Sequence, residues 1–177
     1  MGSVRNDSKM STETQETQEM GTKPVAEHAW LQKLVGDWRI SCELTMPDGS
    51  KDISESRESC KSLGGLWAFS KADDTMPNGE PIEIYRTLGY DVSFKEYRGC
   101  MFMSASSHLW KYAGTLSADG KTMTLDCEGP DMVEDGKTAM YRDVIELLDD
   151  NTRTTTTYGQ DENGEWQQFM KGTYTRA

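Results

Sequence analysis

Two histidines, His28 and His108, carry all the imidazole chemistry available to this 177-residue chain. A three-histidine zinc site is therefore excluded, and a Ser-His-Asp arrangement has two candidates for its base. His108 shares a strand face with Trp110 and Tyr112, since residues two apart on a strand project to the same side. Turned inward, its ring nitrogen stands among aromatic walls, able to hydrogen-bond a ligand carbonyl or hydroxyl or to move a proton near neutral pH. Turned outward, or tied to a neighbouring strand, it is ordinary packing. His28 lies one helical turn before Leu31 and Gln32, at the flank of an apolar stripe, and is expected to be partly exposed.

Other side chains that could meet a ligand are apolar. Met101 and Met103 share a face with Tyr97, and thioethers yield to irregular ligands as readily as they fill gaps in a core. Trp67 and Phe69 form a second aromatic pair, while Trp166, Met170 and Tyr174 line one face of the last strand-like run. A small barrel packed solid favours Val, Ile and Leu inside, so a chain rich in Trp, Tyr and Met suits a broader cavity. Arg142 and Asp143 project to opposite faces of one strand. Whichever is internal needs a partner or a ligand group, because burying a lone charge is costly. Arg142 is taken as the anchor for a ligand carboxylate. No catalytic or metal-binding residue is assigned. Cys42, Cys60, Cys100 and Cys127 are too scattered for a C-x-x-C motif and read as reduced thiols, with Cys42 in phase with Trp38, Ile40 and Leu44 as core filler. Glu128, Asp131, Glu134 and Asp135 miss the EF-hand spacing and read as a solvated loop.

The elements that must position these residues are strands. Runs at 140–148, 152–158 and 166–175 are separated only by Asp149-Asp150-Asn151 and Asp161-Glu162-Asn163-Gly164. Strands joined so tightly pair antiparallel, because a parallel neighbour needs a long crossover. Upstream, 38–46 alternates apolar and polar residues, and further runs follow at 51–62, 66–70, 82–90, 97–105, 108–116 and 123–127, which makes ten candidate strands. A meander of that many strands must manage two edges, and closing into an up-and-down antiparallel barrel removes both. Ahead of the strands, Pro24 opens a short helix in which Ala26, Trp30 and Leu34 recur every four residues, Leu31 and Val35 widen the stripe, and Gly36 ends it. That helix is expected to cover one mouth. Residues 1–23 are rich in Ser, Thr, Glu and Gln and read as a disordered tail, leaving 24–177 as a single barrel domain.

A net charge of −11 repels phosphate backbones and anionic lipid, so neither nucleic acid nor a membrane surface is an expected partner. No run has the length of a transmembrane helix, and the N-terminus lacks an apolar signal core. Met1-Gly2-Ser3 begins like a myristoylation signal, but Asn6 stands where Ser or Thr is needed. These readings place the chain in the cytoplasm. Walker, G-x-G-x-x-G and G-x-S-x-G elements are absent from the sequence.

Several motifs occur in order: Glu27-His28-Ala29-Trp30-Leu31 with Gly36-Asp37-Trp38, Leu63-Gly64-Gly65-Leu66-Trp67, Leu88-Gly89-Tyr90-Asp91, His108-Leu109-Trp110, Glu128-Gly129-Pro130 and Tyr141-Arg142-Asp143-Val144-Ile145-Glu146. From about residue 24 to the C-terminus the chain resembles the bacterial family called domain of unknown function 1579. The resemblance implies a calycin-like, lipocalin-like barrel, similar in layout to fatty-acid-binding proteins and nitrobindins. It brings no established activity and no catalytic residues. The likeness to nitrobindins makes haem an option, which needs a histidine on iron; otherwise no cofactor is expected.

Three readings of function follow. In the first, a small hydrophobic or amphipathic molecule enters the barrel, its hydrocarbon part against Trp, Met and Phe and its polar end near His108 or Arg142. In the second, the same cavity isomerises, cyclises or hydrates a substrate with His108 as acid-base and a tyrosine as donor. In the third, the barrel is filled by its own side chains and acts structurally or as a homodimer. Binding is the reading adopted.

Overall fold

Period-two alternation and short Asp- and Gly-rich turns build a continuous antiparallel sheet, and the edges it would otherwise leave are removed by closure. The computed structural model describes residues 21–177, so the tail expected at 1–23 lies, as far as residue 20, outside the described residues. One short helix, α1 (His28–Gln32), precedes ten strands: β1 (Gly36–Thr45), β2 (Lys51–Leu63), β3 (Trp67–Thr75), β4 (Pro81–Asp91), β5 (Glu96–Met103), β6 (Ser106–Leu116), β7 (Thr122–Pro130), β8 (Thr138–Leu147), β9 (Thr152–Gln160) and β10 (Trp166–Arg176). Each strand pairs antiparallel with its sequence neighbour, and β1 returns to pair with β10, from Trp38 opposite Arg176 to Leu44 opposite Met170. The protein is a closed ten-stranded barrel.

Three elements differ from expectation. β7 runs on through Glu128, read as loop, to Pro130 opposite Thr138 of β8. β3 runs on to Thr75, opposite Pro81 of β4, although Lys71-Ala72-Asp73-Asp74 carries weak β propensity. The ladder imposes the strand there, and Ala72 supplies the inward side chain. The helix is shorter than the apolar stripe. Pro24 stands outside it, and residues 25–27 form a turn in which His28 N–H and Ala29 N–H donate to Val25 and Ala26 carbonyls, each at 3.1 Å.

That turn buries His28, which is 2% exposed rather than partly exposed. Its Nδ1 accepts from Val25 N–H at 3.0 Å, and its ring stands edge-on to Tyr90. The helix covers one end of the barrel. Trp30 Nε1 donates to Gly120 O at 3.1 Å, Gln32 Nε2 to Gly65 O at 3.2 Å, and Tyr97 OH to Glu27 O at 2.9 Å. Behind the helix, Arg176 of β10 donates to Val35 O at 2.5 Å and Lys33 O at 3.0 Å while its guanidinium lies over Trp38. Gly36, at φ 129°, makes this possible, because a Cβ there would meet Arg176 Nη1 at 2.3 Å.

The helix-covered half of the interior is filled. Leu31, Met123, Leu125 and Ile145 are fully buried there, each contributing about 1.5–3 kcal/mol of transfer free energy. A second buried group surrounds Arg153, whose Nη2 donates to Glu58 Oε1 at 2.5 Å with its guanidinium over the rings of Trp38 and Tyr174 at 4.6 and 4.0 Å. The four cysteines are free thiols. No helix among the described residues is long and apolar enough to cross a membrane.

Candidate ligand-binding site

At the end away from α1 the barrel interior opens into a cavity of about 400 Å³. Strand parity selects its lining. On β5 Met101 and Met103 point inward, on β6 Trp110 and Tyr112, and on β8 Tyr141 and Asp143. On β4, Arg86 follows Ile82 and Ile84 on the inward face. In β10 a bulge between Gln168 and Met170 turns both Phe169 and Met170 toward the cavity. Met132, in the loop between β7 and β8, stands at the mouth.

The walls are therefore thioether and aromatic, and the floor is polar. Asp143 is 6% exposed. Its Oδ2 accepts from Tyr112 OH at 2.6 Å and its Oδ1 from Thr157 Oγ1 at 2.6 Å. Burial, together with the charge of Asp143, pushes the Tyr112 phenol well above its usual range, so this hydroxyl keeps its proton and donates. Arg86 Nη2 stands 3.9 Å from Asp143 Oδ2, and its Nε has no hydrogen-bond partner among the described residues. Burial opposes the Arg86 charge, but the surrounding acidic groups outweigh it and the guanidinium stays protonated. Cys127, also on the lining, is pushed up to about 12 by burial and by Asp143 and Asp126, which leaves no thiolate nucleophile near neutral pH. The arrangement can desolvate an apolar body and orient one polar group against a guanidinium and a carboxylate.

The residues singled out from sequence divide into three groups. Met101, Met103, Trp110 and Tyr112 line this cavity. His108 is on the same strand face but outside the lining; its Nε2 donates to Glu128 O at 3.2 Å, and its ring stands edge-on to Trp110 at 4.9 Å, bracing that wall. Trp67, Phe69, Arg142 and Trp166 face outward, against expectation. On β3 the interior takes the small side chains Ala68, Ser70 and Ala72, because this strand backs onto the filled half, and Trp67 and Phe69 are left 40% and 39% exposed. Phe69 joins an outer aromatic row with Tyr85 and Phe102. Arg142 makes a two-pronged bond to Asp126 on the outer surface, at 2.6 and 2.8 Å, and lies over the ring of Trp166. The bulge in β10 is what puts Trp166 there: the extra residue shifts it off the face of Met170 and Tyr174.

The internal charges are thus Arg86 and Asp143, and both had a signal. Arg86 falls in phase with Ile82, Ile84 and Leu88, and Asp143 with Tyr141 and Ile145, each a charge set into an apolar face. Phe169 had none, since alternation read without a bulge sends it outward. A histidine-ligated haem does not fit: neither histidine lines the cavity, and His28 is packed at the opposite end. Among the described residues no cluster of three or more His, Cys, Asp or Glu side chains could hold a metal ion.

Two solved structures share the fold. An S-type phycobiliprotein lyase, CPES from Guillardia theta, superposes with a TM-score of 0.57 at 13% identity, covering 86% of this chain and 93% of its own. Rv2717c from M. tuberculosis does so with a TM-score of 0.61 at 12% identity, covering 86% and 98%. At such identity the likeness is one of fold. No curated protein sequence matches the chain. The sequence profile of the family described as protein of unknown function (DUF1579) matches residues 23–176, which takes in α1 and all ten strands, and the chain belongs to that family.

Proposed function

We propose that the protein binds a small amphipathic molecule inside the open half of its barrel. The observation that carries this reading is the cavity of about 400 Å³ with thioether and aromatic walls over a floor bearing Arg86 and Asp143. Ligand sites are typically concave, mostly apolar and provided with a few placed polar groups, at volumes of roughly 300–1,000 Å³. The apolar body lies against Met101, Met103, Trp110 and Phe169, and the polar end reaches Arg86 and Asp143. The reading as an enzyme with His108 as acid-base draws no support from the site, because that ring is hydrogen-bonded to the neighbouring strand outside the cavity.

Native mass spectrometry of freshly purified protein tests this directly, with thermal unfolding against a panel of small amphipathic molecules as the second arm. The expected results are a co-purified adduct of small mass or a stability gain of about 2.7 kcal/mol at a hundredfold excess of ligand over its dissociation constant. Bare protein that gains nothing from any member of the panel overturns the proposal.

A further inference from the structure

The cavity floor narrows the class of ligand, on the reading that the barrel binds a small molecule. Arg86 and Asp143 have side chains 12% and 8% exposed, yet Nη2 and Oδ2 stand 3.9 Å apart, too far for a hydrogen bond. Arg86 Nε has no partner among the described residues. Asp143 accepts from Tyr112 and Thr157, and a carboxylate offers about four lone-pair sites, so it can take one more donor. A donor and an acceptor therefore border one cavity side by side. Buried polar groups in folded proteins are nearly all hydrogen-bonded, and a head group that both accepts and donates completes this pair.

Charge then selects among head groups. Among the described residues the buried carboxylates, Glu58 and Asp143, are matched by the guanidinium groups of Arg153, also buried, and Arg86, nearly so. A carboxylate head brings an unmatched negative charge beside Asp143, where like charges repel strongly in a poorly solvated site. An ammonium head brings an unmatched positive charge beside Arg86. A neutral head adds none. The geometry points to a ligand with a neutral amide or lactam head, its carbonyl accepting from Arg86 and its N–H donating to Asp143, with an apolar body held between Met101, Trp110 and Phe169.

Octanamide, octanoate and methyl octanoate carry comparable chains and differ in the head, so competition against Nile red bound to the full-length protein near neutral pH separates them. Octanamide is expected to displace the dye at about tenfold lower concentration than either of the others, the factor for one charge-assisted hydrogen bond. In Asp143→Asn, its fold checked by circular dichroism, octanoate is expected to displace the dye at least as well as octanamide, because the like charge is gone and Arg86 is left to pair with a carboxylate. Octanoate displacing as well as or better than octanamide on the unaltered protein overturns the head-group assignment and leaves the cavity reading standing. So does an undiminished preference for octanamide over octanoate in Asp143→Asn. Dye that does not bind, or that none of the three displaces, overturns the cavity reading and this assignment with it. Should Asp143→Asn fail to fold, the comparison among the three heads on the unaltered protein decides.

Discussion

Arg142 and Asp143 are adjacent in sequence and opposite in environment, and the contrast is measurable. Asp143 is buried against Arg86, Tyr112 and Thr157, so Asp143→Ala leaves a buried guanidinium without its counter-charge. Urea unfolding is expected to show a loss of about 3–5 kcal/mol. Arg142 pairs with Asp126 at the surface, and Arg142→Ala is expected to cost about 1 kcal/mol or less. Equal losses would contradict the assignment of faces. The sequence reading sends the two to opposite faces and takes Arg142 as the internal anchor; the structure puts Asp143 inside and Arg142 on the surface instead. The deciding signal was parity with Tyr141 and Ile145, together with the same parity for Arg86 on β4. Alkaline pH provides a second test. Burial, with the charge of Glu58, pushes the Cys60 thiol up from 9.0 to about 12, and burial with nearby charge does the same for Cys127. Burial also raises Tyr97 from 10.0 to about 12. The unfolded chain releases these protons first, so stability is full below about pH 9 and falls as pH rises toward 12. A urea midpoint that stays level from pH 8 to pH 11 would contradict the burial of these groups, on the same linkage, which sets that window at roughly those values.

Strands were legible wherever alternation is regular and turns are short, which covers most of the barrel. β3 was cut short because Asp73 and Asp74 look like loop residues, while pairing with β4 is non-local and leaves no mark in the segment itself. The bulge in β10 was hidden for the same reason, and it exchanges Trp166 for Phe169 at the cavity wall. Close packing between strands makes its own prediction. A Cβ at Gly99 of β5 would lie 1.8 Å from the Thr87 carbonyl oxygen of β4, and a backbone oxygen cannot swing aside as a side chain does. Gly99→Ala is expected to lower stability by at least about 1–3 kcal/mol, read as a fall in the urea midpoint. A midpoint unchanged by this substitution would mean that β4 and β5 are not in the described register.

At the scale of the whole molecule the barrel has one filled end and one hollow end. Closure was foreseeable from the number of strands and the edges they would leave, and the helix over one mouth from its apolar stripe. Which end is hollow was not, because it depends on how far Trp30, Leu31 and Leu34 reach into the interior and on which strands turn small residues inward. The aromatic residues were read as one set facing a cavity. In the structure they divide between an inner wall at Trp110 and Phe169 and an outer row at Phe69, Tyr85 and Phe102. Titration with Nile red, comparing the unaltered chain with Met103→Trp, tests the hollow end most directly. The account predicts one bound dye per chain with blue-shifted emission, and weaker binding when the larger side chain narrows the space while the far-ultraviolet circular dichroism is unchanged. Binding of equal strength in Met103→Trp, or no binding to either protein, would contradict it.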